Sequence, residues 1–324
     1  MLEEVDSWLS SRSWGAGDRP VERLLAARAR DPRRSSVSVV LPALNEQETV
    51  GDIVRTIRRE LMEKAPLVDE LVVIDSGSTD ATSAVARAAG ARVVHRDAIL
   101  PRIPALPGKG EVLWRSLFVT SGEIVCFVDA DLKDFSADFV SGIVGPLLTD
   151  PDVHFVKAMY DRPLETADGQ VPAGTPAQGG RVTELVARPL LNLHWPKLAG
   201  FVQPLGGEYA VRRPLLEQLP FPVGYGVELG LLVDALHTVG LDALAQVDVG
   251  VRRHRHQDGQ ALGRMAATIY RTAQLRLSRG HLVRPELTQF ERYEDGFRPR
   301  TYAVDTEERP PVREIAEYAA RSAA

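Results

Sequence analysis

Short, wholly apolar runs that stop at a proline or an aspartate organise the first half of the chain. Residues 37–41 are β-branched except at Ser38 and Leu41, and the run stops at Pro42. Residues 71–74 form a second run that stops at Asp75, residues 92–94 a shorter third, and residues 124–128 a fourth that stops at Asp129. Between them lie stretches of helical character at 46–64, 80–89 and 111–120. Fully apolar strands alternating with helices predict an α/β fold with a mostly parallel sheet flanked by helices. Its crossovers should be right-handed. Ser78 and Thr79, just before Asp80, are N-cap candidates for the second helix.

The second half is less regular. Residues 154–159 read as a strand, and the Pro- and Gly-rich stretch 161–177 predicts a mobile loop. Gly179-Gly180 opens a helix that runs to residue 193. Residues 227–236 are apolar nearly all round, so that helix should be buried. Residues 243–251 look like a strand that ends in Arg252-Arg253-His254-Arg255-His256, and a long helix follows over 259–279. From residue 286 the chain is a charged, proline-containing tail. At the other end, Trp8, Leu9 and Trp14 predict a short docked helix within 35 polar residues, with a linker at 31–36. Four segments result: 1–35, 36–160, 161–258 and 259–324.

Composition narrows the class. With 324 residues, 44% of them apolar, the chain can bury a sizeable core as one large domain or two modest ones. A net charge of −5 and a pI near 5.9 give no global basic field for nucleic acid. No run of 18 apolar residues occurs, so no membrane span is expected, and residues 1–13 lack the apolar stretch of a signal peptide. Cys126, the single cysteine, can form no internal disulfide and reads as a small buried hydrophobe. The expected compartment is the cytoplasm.

The chemistry lies where the strands end. Pro42-Ala43-Leu44-Asn45-Glu46, Asp75-Ser76-Gly77-Ser78-Thr79-Asp80 and Asp129-Ala130-Asp131 each follow a strand, and ligands of open parallel sheets bind outside the carboxyl ends of the strands. In Asp129-Ala130-Asp131, one carboxylate can bind a divalent cation while the other contacts a sugar or ribose hydroxyl. As an isolated motif it reads first as a turn with two solvated aspartates, but after a buried strand and beside the other two clusters it reads as a site. Gly108-Lys109-Gly110 allows close backbone approach and supplies a point charge for phosphate or sugar oxygen, or else is a plain surface turn. Neither a P-loop nor a G-x-G-x-x-G fingerprint is present.

Gly179-Gly180-Arg181-Val182-Thr183 sits at a predicted helix start, which suits an anion through free N–H groups and the Arg181 fork. Its plainer reading is a Gly-rich helix entry with an exposed arginine. Glu228, in the first turn of an apolar helix, either compensates the helix dipole or holds sugar hydroxyls. Asp234 reads as structural. His254 and His256 share one face of an extended basic segment, and imidazole suits Mn²⁺ or Mg²⁺; the alternative is a solvated strand end.

These motifs resemble the GT-A class of nucleotide-sugar transferases, a Rossmann-like fold with a smaller acceptor-binding C-terminal part. The match narrows with Pro107-Gly108-Lys109-Gly110-Glu111, Gly179-Gly180-Arg181-Val182-Thr183-Glu184-Leu185, Gly224-Tyr225-Gly226-Val227-Glu228, and Gln203-Pro204-Leu205 leading to Gly207-Glu208-Tyr209. Together they are similar to the glucosyl-3-phosphoglycerate synthase family over about residues 36–256. The resemblance implies glucose transfer from UDP-glucose, or another nucleoside diphosphate glucose, to 3-phosphoglycerate with retention at the anomeric carbon. It implies that Pro42, Ala43, Leu44, Asn45, Glu46 and Ser76 hold uridine, and that Lys109 and Asp129 contact the donor sugar or its phosphate. Asp131 and His254 would bind Mg²⁺ or Mn²⁺ with the diphosphate. Gly180, Arg181 and Thr183 would bind the phosphoglycerate, and Glu228 with the Leu205 backbone would orient the glucose. The family's pairing into homodimers would use the C-terminal segment 259–324. Two positions depart from the family pattern: His256, near the acceptor, where Asn is frequent, and Ala130, where Ser is.

Glu228, Lys109 and Asp129 are thus the candidate catalytic residues, with Ala130 and Arg252 also on the donor side. A basic strand end at 252–256 and a divalent metal would neutralise the leaving diphosphate. A front-face route needs no protein base, whereas a covalent route would need Glu228 as the nucleophile. Mannosyl transfer from GDP-mannose on a similar scaffold is the nearest alternative, since the two sugars differ at one stereocentre. A polyprenyl-phosphate glycosyltransferase would need a membrane helix. A nucleotide-binding module without chemistry would not need Lys109, Asp129, Asp131 and His254 together.

Overall fold

In the computed structural model, residues 2–31, 35–161, 180–252, 259–277, 286–293, 296–303 and 307–322 are described. The first nine strands in chain order are β1 Ser13–Gly15, β2 Val37–Ala43, β3 Glu70–Asp75, β4 Arg92–His95, β5 Ile124–Phe127, β6 Phe155–Asp161, β7 Tyr209–Arg212, β8 Phe221–Pro222 and β9 Leu244–Val251. All but β8 join one sheet in the order β1-β9-β6-β7-β5-β2-β3-β4. Every neighbouring pair is parallel except those involving β7, which runs against both β5 and β6. The chain leaves β2 toward β3 and β4, then returns to β5 on the other side of β2. That reversal opens a crevice at the carboxyl ends of β2 and β5, the place where doubly wound sheets bind ligands.

Alternation along the strands explains why both faces are covered. Val37, Val39 and Leu41 pack into one apolar layer with Ile53, Ile57 and Val144. Val40 points the other way and joins Val72, Val125, Phe127 and Leu113. Cys126 is wholly buried in the first layer, as a small apolar residue would be.

The local differences from the sequence reading have physical causes. The helix expected from residue 46 is α-helical over Val50–Ile57 and widens into a π-helical Arg58–Lys64. The chain turns over residues 47–49 first, after a left-handed Asn45 (φ 59°), and the N–H groups of Asn45 and Glu46 are donated to Ser78 Oγ (3.0 Å) and Thr82 Oγ1 (2.7 Å). The second helix begins at Thr82, not Asp80. Asp80, rather than Ser78 or Thr79, takes its first turn: Asp80 Oδ1 accepts from the Thr82 N–H at 2.9 Å. Trp14 lies on β1 and not in the N-terminal helix, which is Glu3–Arg12. There Trp8 donates to the Leu244 carbonyl at 2.7 Å and packs on Phe201 with ring centroids 4.7 Å apart. The loop predicted over 161–177 lies outside the described residues beyond Asp161, as do 32–34 of the predicted linker.

The stretch expected to be a tail is folded. Residues 286–293 and 296–303 pair as an antiparallel hairpin, and Glu308–Arg309 pairs antiparallel with β8. Each charged residue of that two-residue strand reaches a different helix. Arg309 Nε meets Glu111 Oε2 at 2.7 Å on the helix Lys109–Ser116. Glu308 Oε1 meets Arg276 Nη1 at 2.8 Å, and Arg276 also holds Asp234 of the helix Val227–Val239. Asp234 is therefore structural, as expected. Trp114 Nε1 donates to the Pro310 carbonyl at 2.9 Å. These partners lie some 200 positions away, so no local pattern reveals them.

Glu111 is wholly buried and is also held by Arg115 Nε at 2.7 Å. Arg309→Met should lower the urea midpoint by the equivalent of about 1–3 kcal/mol, because a buried carboxylate loses one of its two charged partners. An unchanged midpoint would show that the Glu308–Arg309 strand is not part of the cooperative unit.

Candidate active site

The crevice between β2 and β5 is walled by loops that hold one another. Asp75, at the end of β3, accepts from the N–H groups of Ser78 (2.8 Å) and Gly77 (3.1 Å) and from Ser83 Oγ. Burial opposes its charge, but these hydrogen bonds prevail and keep its pKa below the usual carboxylate value. Asn45 sits at φ 59°, a left-handed conformation that Asn tolerates. Its Oδ1 accepts from the Thr79 N–H at 2.9 Å. The Ser76 N–H donates to the Ala43 carbonyl at 2.9 Å. Pro42, Ala43, Leu44, Asn45, Glu46 and Ser76 thus form one continuous shelf, with Leu44 exposed.

The loop after β5 is pinned to that shelf, since Thr49 Oγ1 donates to the Ala130 carbonyl at 2.5 Å. Ala130 is buried, which turns Asp129 and Asp131 toward the crevice as a pair. Around them runs a chain of ion pairs. Lys109 Nζ lies 2.9 Å from Glu228 Oε1 and 2.5 Å from Asp129 Oδ1. Arg252 Nη2 lies 2.9 Å from Asp129 Oδ2 and 3.2 Å from Asp131 Oδ1, while its Nε lies 2.9 Å from Glu208 Oε1. Five of the residues read from the sequence, Lys109, Asp129, Asp131, Glu228 and Arg252, are brought together here from four separate elements or loops.

Burial works against the charge on Lys109, but Asp129 and Glu228 outweigh it and hold its pKa well above the ordinary lysine value. Asp131 is pushed the other way. Burial raises its pKa, Asp129 and Glu208 add to the rise, and Arg252 only partly offsets it.

Three further residues shape this site without having been given a role there from the sequence. Glu208 is fully buried, and its Oε2 has no hydrogen-bond partner among the described residues. Lys157, on β6, is buried beneath the loop that carries Leu205 and Gly207. Gly207 lies so close that a Cβ there would sit 2.2 Å from Asp129 Oδ2 and 2.4 Å from Lys109 Nζ. The Gly207-Glu208-Tyr209 motif was a signal for them; a charged residue within an otherwise apolar strand, as Lys157 is, was another.

The candidate acceptor group belongs to a different element. Gly180, Arg181 and Thr183 lie at the start of a helical stretch that includes Thr183–Ala187 and Arg188–His194. Arg181 is exposed and Thr183 buried. Gly179 is outside the described residues, and so are His254 and His256.

The model of the Glycosyl transferase family 2 matches residues 38–174. The glucosyl-3-phosphoglycerate synthase of Mycolicibacterium smegmatis is 50% identical over 307 residues, covering 94% of this chain and 97% of that one. The chain belongs to the glucosyl-3-phosphoglycerate synthase family. A crystal structure of the Mycobacterium tuberculosis glucosyl-3-phosphoglycerate synthase with Mn²⁺, UDP-glucose and phosphoglyceric acid superposes with a TM-score of 0.78 at 45% identity, covering 90% of this chain and 94% of that one. The mannosyl-3-phosphoglycerate synthase of Rubrobacter xylanophilus superposes with a TM-score of 0.87 at 38% identity, covering 96% and 98%. The GT-A-type fold and glycosyltransferase class expected from the motifs hold.

The residues present fit a divalent metal. The chain of contacts holds four carboxylates, Asp129, Asp131, Glu208 and Glu228, but two cations, Lys109 and Arg252. Asp131 carries the strain of that excess, and its hard oxygens suit Mg²⁺ or Mn²⁺. Among the described residues no three His, Cys, Asp or Glu side chains group as a metal set.

Gly207→Ala should lower turnover by about tenfold or more while leaving the fold intact, because the added methyl displaces Lys109 and Asp129 from each other. Wild-type turnover in that variant would mean that the Lys109–Asp129 contact does not matter for catalysis.

Proposed function

We propose that this chain transfers glucose from UDP-glucose to 3-phosphoglycerate, giving glucosyl-3-phosphoglycerate and UDP with retention at the anomeric carbon. The observation that carries this reading is the chain of ion pairs Glu228–Lys109–Asp129–Arg252–Asp131 at the carboxyl end of β5. It offers a cation and a carboxylate side by side for a sugar and its phosphate.

The shelf of Pro42 to Glu46 and Ser76 holds the uridine. Lys109 and Asp129 exchange part of their mutual contact for the donor's sugar hydroxyls and phosphate oxygen. Glu228, with the Leu205 backbone, orients the glucose. Asp131 and His254 hold Mg²⁺ or Mn²⁺, which when bound supplies positive charge against the diphosphate. Arg252 keeps Asp129 and Asp131 at a fixed spacing while that charge changes. Gly180, Arg181 and Thr183 bind the phosphate and carboxylate of the acceptor, with His256 nearby.

In the transfer, the bond from C1 of glucose to the phosphate oxygen breaks. A bond from C1 to the acceptor hydroxyl oxygen forms on the same face. The hydroxyl proton goes to the departing phosphate, so no protein base is required. Glu228 is already engaged by Lys109 at 2.9 Å, which favours an orienting role over a nucleophilic one.

Segment 36–160 forms the nucleotide-sugar part, 161–258 the acceptor and metal-completing part, and 259–324 the pairing segment of a homodimer. Tyr270, Leu275 and Leu277 are exposed on the helix Gly259–Leu277, which supports that last assignment. No described helix is long and apolar enough to cross a membrane; we place the enzyme in the cytoplasm, with no nucleic-acid partner.

The superposition on a mannosyl-3-phosphoglycerate synthase favours one second reading, mannosyl transfer from GDP-mannose. Incubation with Mg²⁺ and 3-phosphoglycerate, with UDP-glucose, GDP-glucose or GDP-mannose in parallel, separates the two. Fastest nucleotide release is expected with UDP-glucose, dependent on acceptor and metal. Preference for GDP-mannose would overturn the sugar assignment.

Asp131→Ala should reduce metal-dependent turnover by about a hundredfold or more with an unchanged circular dichroism spectrum. Normal turnover would sink the metal assignment. Arg181→Ala should raise the acceptor KM by about tenfold and the donor KM much less. If the acceptor KM stays put, the anion site lies elsewhere.

A further inference from the structure

Lys157 is an unusual residue for the place it occupies. It lies on β6, pairs across to β7, and is 1% exposed. A buried ammonium needs a partner. Its Nζ donates to the Gly206 carbonyl at 2.7 Å and sits 4.7 Å from the centre of the Tyr209 ring. No carboxylate lies within ion-pairing distance of it in the structure's described contacts. The charged and titratable groups that face it are Glu228 from the helix Val227–Val239, Glu208 and Tyr209 from the loop and strand beneath the site, Lys109 from the helix Lys109–Ser116, and Asp129 from the end of β5.

The segment it holds is the one that touches the site. Gly206 has no room for a side chain, since a Cβ would sit 2.9 Å from Tyr160 Oη. Gly207, the next residue, is pressed against Asp129 and Lys109. Among the described residues, three buried side-chain atoms without a hydrogen-bond partner lie within this same stretch: Gln203 Oε1, Glu208 Oε2 and Tyr209 Oη. Gln203 and Glu208 are held through their other atoms, to the Tyr160 carbonyl and to Arg252, so the Gly206–Gly207 turn between them, which has no side chains of its own, depends on what grips its carbonyl.

We infer that Lys157 is a positioning residue for the donor sugar: through its hydrogen bond to the Gly206 carbonyl it fixes the Gly206–Gly207 turn against Asp129 and Lys109, and so sets donor affinity. The inference rests on the proposed glucosyl transfer but concerns a residue outside the binding shelf.

Stability does not account for this lysine. Burial lowers its pKa to about 8, against 10.5 for an ordinary lysine, with Glu228 and Glu208 opposing the fall. Between those two values the unfolded chain binds more protons than the folded one, so stability rises with pH through that window. Below pH 8 the buried ammonium subtracts from stability, and a methionine of similar length would fill the same space without that cost. A residue kept at a cost to stability is kept for what it does.

The test compares wild type with Lys157→Met, using UDP-glucose and 3-phosphoglycerate at saturating Mg²⁺. At pH 7 the donor KM of the variant should be raised about tenfold, the acceptor KM should stay within about twofold, and the urea midpoint should be unchanged or higher. Unchanged KM values or equal rises in both would each overturn the inference. If Lys157→Met does not fold, Lys157→Leu, which also removes the donor, is read in the same way. Should the wild type prefer GDP-mannose, the glucosyl reading fails on its own and the same ratio is measured with that donor.

Discussion

One ammonium group shared by two carboxylates is the constraint around which this protein is arranged. Lys109 lies within 3 Å of both Asp129 and Glu228, and each of the three comes from a different element. A charge removed from water is tolerated only where its partners are fixed. The helix Lys109–Ser116, the end of β5 and the helix Val227–Val239 must therefore meet within a few tenths of an ångström. Arg252 extends the requirement to Asp131 and Glu208, so a fourth element, the end of β9, is drawn into the same point.

The backbone around this point is chosen for closeness. Gly108 has φ 135°, and a Cβ on Gly110 would lie 1.8 Å from the Pro222 carbonyl oxygen. The glycines flanking Lys109 thus serve packing against β8 as much as any ligand. This reconciles the two readings of that motif: it is a tight turn, and the tightness is what brings the ammonium to the carboxylates.

The sequence made the frame readable and left its bracing hidden. Strands with β-branched runs such as residues 37–41 and 71–74 announce themselves because burial on both faces removes polar residues from them. Asp129, Asp131, Lys109 and Glu228 were visible because charged residues stood at the ends of apolar elements. Glu208 and Lys157 were harder, since their meaning depends on Arg252 and Gly206, which topology alone brings beside them. The Glu308–Arg309 strand was hidden for the same reason: its partners Glu111, Phe221 and Pro222 are remote in the chain. Helix starts shifted where a turn came first, at residues 47–49 after the left-handed Asn45 and at Asp80 before Thr82.

The Glu308–Arg309 strand has a consequence for how the site is made. Its two side chains brace the helices that carry Lys109 and Glu228. During synthesis the chain emerges from its N-terminus, so β2, β3 and β5 can form their sheet long before this strand exists. The nucleotide shelf is a product of early folding, while the bracing of Lys109 against Glu228 waits for a strand translated after all of β1 to β9. A nascent chain would thus hold a pocket before it holds a finished catalyst.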